Sequence, residues 1–285
     1  MSETSFVSPL SYLPPNQFQV FERDLRAIST SEEQILALVH KTQERLRREY
    51  PNLKSLRRIL THYRNICRKV LSGDLLRGAL GVLNLKDQEI VFLNTNYIET
   101  VAQEHRNLRP LQNYLEMIKH AEDLLITRRP LDWVLGLCFL TGRRAAEIGS
   151  TACFGVVDAD HVRFSGQLKT KTRESRPYVI PVLTHSKRIT ETLATLRKEK
   201  PRWLDDPRYF KDNTSSPLSQ KVKKQFGEFI LNPRVKDLRA AYAEVAYHRF
   251  GSEEIAKSRF FSDILGHGEN DIVTGQSYLD FYLAS

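Results

Sequence analysis

The chain has 285 residues, 41% of them hydrophobic, with 43 Lys and Arg against 34 Asp and Glu and a formal net charge of +9; two domains with real cores and a polyanionic partner are the natural expectation. Met1 to Gln17 lacks the basic, apolar, small-residue order of a signal peptide and no apolar run reaches membrane-spanning length, so a cytoplasmic protein with no membrane contact is expected. Neither a glycine-rich phosphate loop with a following Lys-Ser or Lys-Thr nor a His/Asp/Glu cluster at metal spacing occurs, so neither ATP nor a metal is expected, and the cofactor expectation is none.

In chain order, Ser31 with Gln34 forms a capping box, and Ile35, Leu38, Val39 and Leu46 follow helical spacing until Pro51. A second helix is predicted from about Lys54 to Leu71, with Leu56, Ile59, Leu60, Tyr63, Ile66, Cys67 and Val70 on one face. From Arg45 to Lys69 nine basic residues stand against one acid, Glu49. Arg57, Arg58, Arg64, Arg68 and Lys69 lie largely off the apolar face and are candidate DNA contacts; a solvated helix face is the alternative. Cys67, Cys138 and Cys153 are odd in number, far apart and not at ligand spacing, which predicts three reduced thiols used as small core residues.

The pattern breaks at His105 to Pro110, expected as a linker between a basic helical domain (residues 1–108) and a second domain (109–285). A helix from about Leu131 carries Val134, Leu135 and Cys138 into Thr141-Gly142-Arg143-Arg144. Strands are predicted over Val162 to Leu168 and Tyr178 to Val182, joined by the polar stretch Lys169 to Arg176. A helix over Ser186 to Lys198, an irregular segment Pro201 to Pro217, and helices over Lys221 to Ile230 and Lys236 to Phe250 follow. The fold class is mainly α with a small β-sheet, an α+β chain.

Five strings carry candidate chemistry: Thr141-Gly142-Arg143-Arg144-Ala145-Ala146-Glu147, Gly166-Gln167-Leu168-Lys169, Lys236-Asp237-Leu238-Arg239, Leu265-Gly266-His267 and Ser277-Tyr278. Taken singly they are weak. Arg144 with Glu147 reads equally as an intrahelical ion pair, Lys236 with Arg239 as a solvated basic face, Lys169 as an exposed loop lysine and His267 as a structural histidine. Together they resemble the active-site boxes of the tyrosine recombinases and, within that superfamily, the telomere resolvases (protelomerases). Lysine at 236, where most tyrosine recombinases have histidine, is similar to the resolvases, as are the 25 positions from Arg144 to Lys169. The 11 positions from His267 to Tyr278 exceed the common recombinase interval and are similar to some resolvases.

The resemblance implies a two-domain DNA clamp with a tyrosine-recombinase-like catalytic domain. Arg144, Lys236 and Arg239 would hold the scissile phosphate, Lys169 would protonate the leaving 5′ oxygen, and His267 would bond the phosphate or take the tyrosyl proton. Tyr278 would be the nucleophile, preferred over Tyr282, which is expected to pack near the chain end. Lys171 is a second candidate for the acid and a DNA contact. The implied activity resolves a palindromic telomere junction into hairpin ends through a 3′-phosphotyrosyl bond. With seven residues after Tyr278, a homodimer on double-stranded DNA with an inverted repeat is the expected assembly. The setting would be the nucleoid of a bacterium, or a phage, with a linear replicon. A strand-exchanging integrase, a sequence-indifferent type IB topoisomerase and a non-catalytic DNA-binding protein stay open as alternatives.

Overall fold

The computed structural model describes residues 16–28, 31–168, 176–266 and 278–284. Two compact units are present, Met1–Thr100 and Val101–Ser285, each around its own buried apolar cluster. Helices predominate, as the residue pattern predicts, and beside the expected small sheet there is a second, two-stranded one. Among the described residues no helix is long and apolar enough to cross a membrane.

The first unit is built from α1 (Asn16–Ala27), α2 (Glu32–Glu49), α3 (Leu53–Val70), α4 (Gly73–Val82) and most of α5 (Asp87–Arg106). Ser31 caps α2 by accepting from the Gln34 N–H, and Asn52 caps α3 by accepting from Lys54 and Ser55. The predicted face of α3 is the buried one: Leu56, Ile59, Leu60, Tyr63, Ile66 and Cys67 pack inward. Tyr63 meets Phe21 edge-on at 4.8 Å, and its buried hydroxyl accepts from Arg45 Nη2 at 3.0 Å. Arg57, Arg58, Arg68 and Lys69 are left exposed on the opposite side.

In the second unit, residues 105–110 hold the end of α5 and the start of β1 (Arg109–Leu111). Helices α6 (Tyr114–Ile126) and α7 (Pro130–Thr141) follow, then a π-helical turn Glu147–Thr151, strands β2 (Cys153–Val156), β3 (His161–Ser165) and β4 (Tyr178–Pro181), and α8 (Ser186–Glu199). A 3-10 turn Pro201–Leu204, α9 (Pro207–Phe226), α10 (Asp237–Phe250), α11 (Lys257–Leu265) and β5 (Phe281–Leu283) complete it. Strands β2, β3 and β4 form an antiparallel sheet, while β1 pairs in parallel with β5, Arg109 opposite Phe281.

Three expectations are corrected. The segment Pro201 to Pro217 is largely helical: Pro207 occupies the first turn, where a missing N–H costs nothing, and Asp206 caps Arg208 at 2.7 Å. Burial of Phe210, Thr214, Leu218, Val222 and Phe226 along one side carries the helix through Pro217. Cys153 is exposed on β2 rather than buried; Cys67 and Cys138 are core residues, and all three are free thiols. Tyr282, expected to pack, is 45% exposed, because successive residues of a strand alternate sides and its neighbour Phe281 takes the buried one.

The all-buried α7 ends at Gly142, whose φ of +67° and lack of a Cβ are both required: a Cβ there would run into the Tyr242 ring. Arg109 joins three elements of this unit. Its guanidinium lies 4.3 Å over the Phe281 ring, its N–H donates to Asp280 O at 2.9 Å, and Nη1 reaches Asp237 Oδ2 at 3.1 Å. Asp237, 1% exposed, also accepts from the Arg234 N–H at 2.9 Å.

Asp237→Ala leaves Arg109 and the Arg234 N–H without their acceptor and is expected to cost about 2–4 kcal/mol, less than a fully buried pair because Arg109 is partly exposed; the urea midpoint of the purified variant checks it.

Candidate active site

Three of the six candidate catalytic side chains meet. Arg144 follows the glycine end of α7 and precedes the π-helical turn, a geometry enriched at functional sites. Glu147, on the first residue of that turn, reaches back with both oxygens: Oε2 accepts the Arg144 N–H at 2.9 Å and Oε1 accepts Arg144 Nη1 at 2.6 Å. Oε1 also accepts the Leu168 N–H at 3.2 Å. The carboxylate is fully buried and the Arg144 side chain is 25% exposed.

Arg239 comes from the first turn of α10 and is 3% exposed. Nη1 donates to Gly142 O at 2.5 Å and Nη2 to Leu265 O at 2.7 Å. These two carbonyls fix the guanidinium, and its Nε points to the Tyr278 hydroxyl at 3.3 Å. The guanidinium carbon stands 5.3 Å from the Tyr278 ring centre. Arg144 is the second guanidinium whose charge acts on that hydroxyl.

The electrostatics follow from this packing. Burial alone would raise the phenol of Tyr278, but Arg239 and Arg144 outweigh it and hold the group below its ordinary value. Glu147 behaves alike: burial raises its carboxyl, and Arg239, Arg143 and Arg144 more than reverse this. Arg239 is itself lowered, first by burial and then by Arg143. Arg144 is raised: burial opposes its charge, and Glu147 overrides burial.

Lys236 caps α10 and is exposed; among the described residues its side chain makes no hydrogen bond or ion pair. Arg239, three residues on, turns inward to Gly142 O and Leu265 O, while Lys236 stays exposed. Lys169, Lys171 and His267 lie outside the described residues. The residues just before two of them are fixed: Leu168 O accepts Arg144 Nη1 at 3.4 Å, and Gly266 O accepts Gln167 Nε2 at 2.7 Å.

Arg64 differs from its neighbours on α3. It is half-buried, bonded to Thr61 Oγ1 at 2.8 Å and Asn84 Oδ1 at 2.5 Å, and is lowered by burial and then by Arg68 and Arg57. Those three guanidiniums form one stripe, at spacings of seven and four residues.

Sequence reasoning passed over Arg143. At 1% exposure it is a core residue, donating to Thr141 O at 3.1 Å, to Ile264 O at 2.6 Å and to the Tyr178 hydroxyl, with its guanidinium 4.7 Å over the Phe164 ring. Adjacent arginines look alike in a sequence; which turns inward is decided by the αL residue Gly142 before them. Among the described residues no group of three or more His, Cys, Asp and Glu is placed to hold a metal ion.

Glu147→Gln removes the carboxylate shared by these arginines and is expected to cost about 3–5 kcal/mol. Because the folded carboxyl is depressed, its stabilisation is complete above the unfolded value near 4.3 and is lost as pH falls through the folded one. Urea midpoints should therefore differ between wild type and variant by a constant amount above about pH 5 and converge in more acid solution.

Comparison with known proteins places this arrangement in a family. The model of the telomere resolvase ResT/TelK catalytic domain matches residues 107–281. The telomere resolvase ResT of Borreliella burgdorferi is 25% identical over 184 residues, which are 61% of this chain and 38% of that protein; the chain thus spans well under half the length of this curated relative. Protelomerase TelA covalently complexed with substrate DNA is 26% identical, with a TM-score of 0.82 over 99% of this chain and 91% of that one. An arginine-to-alanine variant of TelA complexed with DNA hairpin product gives 25% and 0.83 over the same shares. Protelomerase TelK complexed with substrate DNA, 18% identical with a TM-score of 0.61 over 95% of this chain and 64% of that one, shares the fold. The chain belongs to the telomere resolvase ResT/TelK catalytic-domain family.

Proposed function

We propose that this chain cuts and rejoins DNA at an inverted repeat, converting a replicated telomere junction into covalently closed hairpin ends. The observation that carries the reading is the Tyr278 hydroxyl held by Arg239 at 3.3 Å, with Arg144 as its second guanidinium partner and Glu147 bracing Arg144. Two forked cations beside a phenol are what metal-free attack on a phosphodiester requires: they favour the phenolate and stabilise charge on the non-bridging oxygens. Kinship with proteins solved on substrate DNA and on hairpin product supports the same reading.

In the proposed reaction the Tyr278 oxygen attacks phosphorus, forming a 3′-phosphotyrosyl bond as the bond to the 5′ oxygen breaks. His267 takes the tyrosyl proton, and Lys169, or Lys171, gives one to the leaving oxygen. Lys236, exposed at the start of α10, meets the phosphate when DNA is bound. The 5′ hydroxyl of the opposite strand then attacks the phosphotyrosine, restoring the phenol and closing a hairpin. One phosphodiester is broken and one made, so no ATP is consumed.

Residues 1–108 act as the DNA-binding domain and 109–285 as the catalytic one, on the DNA of a linear bacterial or phage replicon. Arg57, Arg58, Arg64, Arg68 and Lys69 contact the backbone, since one face of α3 carries the cations and the other the core. The palindrome implies a homodimer, one protomer per half-site.

Incubation without ATP or metal with a duplex carrying the inverted repeat of its own replicon, followed by denaturing gels, should yield snap-back hairpins that vanish in Tyr278→Phe while DNA affinity persists. Crossed duplex products would speak for strand exchange, and a bound duplex without covalent complex would sink the catalytic reading. Neutralising Arg57, Arg58 and Arg68 together should weaken binding to all duplexes and lower the slope of log affinity against log salt by about 0.9 for each phosphate that is no longer neutralised; fluorescence anisotropy over a salt series measures it.

A further inference from the structure

The C-terminal end of α11 is held from three directions. Gly266, at φ +71°, ends the helix and returns its N–H to Asp263 O at 3.2 Å. The carbonyls of Ile264, Leu265 and Gly266 lie past the helical ladder, at the negative end of the helix dipole. Each accepts from a different side chain: Arg143 Nη2 at 2.6 Å, Arg239 Nη2 at 2.7 Å and Gln167 Nε2 at 2.7 Å. The arginines are buried core residues, whereas Gln167 is neutral and half-buried.

Gln167 is fixed on both sides. Gly166 before it, at φ +88°, has its carbonyl bonded by Thr151 Oγ1 at 2.5 Å. Leu168 after it is bonded through its N–H to Glu147 and through its carbonyl to Arg144. From that braced position the amide reaches 99 positions along the chain to Gly266. A Cβ on Gly266 would run into the Gln167 Oε1 and the Tyr178 hydroxyl, so glycine, amide and phenol close one joint. In sequence, Lys169 follows two residues after Gln167, and His267 directly after Gly266.

We propose that Gln167 is a positioning residue for DNA cleavage, its amide tying the backbone that leads to Lys169 to the backbone that leads to His267. The inference rests on the cleavage reading above. Its physical basis is that Gly266 O accepts from the amide of the segment that leads to the expected general acid. The same joint meets Arg144 through Leu168 O and Arg239 through Leu265 O, the two guanidiniums that act on Tyr278. A misplacement of about an ångström in such groups costs on the order of a hundredfold in rate.

The test uses the full chain and a duplex nicked beside the cleavage point, so that the covalent complex accumulates. Gln167→Leu keeps the volume and removes the donor; it should slow covalent-complex formation by about tenfold to a hundredfold, with the DNA dissociation constant and thermal midpoint near wild type. Gln167→Glu places a carboxylate against a carbonyl at neutral pH, but its protonated form can donate as the amide does. Its rate relative to wild type should therefore rise as pH falls from about 8 to about 5, through the range in which such a carboxyl takes up its proton. A Gln167→Leu protein cleaving at the wild-type rate, rate losses matched by equal losses of affinity and stability, or a Gln167→Glu ratio flat with pH would each overturn the proposal. Wild type that binds DNA without forming covalent complex would overturn it together with the cleavage reading, whereas failure of the variants alone would leave that reading intact.

Discussion

Everything in the second unit is arranged around one electrostatic problem, three guanidiniums gathered about one buried carboxylate. Arg143, Arg144 and Arg239 carry three positive charges and Glu147 one negative. The surplus is stabilised by helix ends: Gly142 O, at the close of α7, and Ile264 and Leu265 O, at the close of α11, point at Arg239 and Arg143. Helix C-termini are the negative ends of the backbone dipole and have carbonyls to spare, so they suit buried cations that lack a full set of carboxylates. What they offer is partial charge, which leaves the pocket positive and suited to an anion.

The same contacts divide labour between the arginines. Arg143 is spent on the fold: carbonyls, a phenol and an aromatic face surround it. Both terminal nitrogens of Arg239 are held by carbonyls, and its Nε faces Tyr278. Arg144 is more exposed and leans on Glu147, which keeps it charged and directed. A single substitution among the three thus has a different meaning at each position, although all are arginine within a short radius.

The sequence made legible what periodicity and residue type control. The apolar face of α3, the cap Ser31, the core residues Val134, Leu135 and Cys138 of α7 and strands β3 and β4 follow the residue pattern. Strand β2 escaped it because Cys-Phe-Gly-Val is mostly exposed and shows no clean alternation; it is a strand by pairing with β3. Strands β1 and β5 escaped it because three residues each are too few to display a period, and their partners lie far apart in the chain. The first part of α9 was hidden by its two prolines, whose local preference yields to the burial of Phe210, Leu218 and Val222, while its end from Lys221 was legible. Within the site, the inward turn of Arg239 away from Lys236 had no local signal, since its cause is a pair of carbonyls from distant helices.

The parallel pair β1 and β5 constrains the proposed chemistry through the chain that follows Tyr278. Tyr278 stands three residues before Phe281, which is buried under the Arg109 guanidinium, and Arg109 is fastened to Asp237 at the start of the helix that supplies Arg239. A fully extended chain spans at most about 3.5 Å per residue, so the nucleophile is tethered within roughly 10 Å of this anchor. Once the phosphotyrosyl bond forms, the attached 3′ end inherits that tether. Closing a hairpin then requires the free 5′ hydroxyl of the opposite strand to travel to a stationary phosphotyrosine, with Arg144 and Arg239 already in place for the second displacement. In the proposed reaction, with Arg239 held by buried carbonyls, Arg144 by Glu147 and Tyr278 tethered beside the helix that supplies Arg239, the motion falls to the DNA.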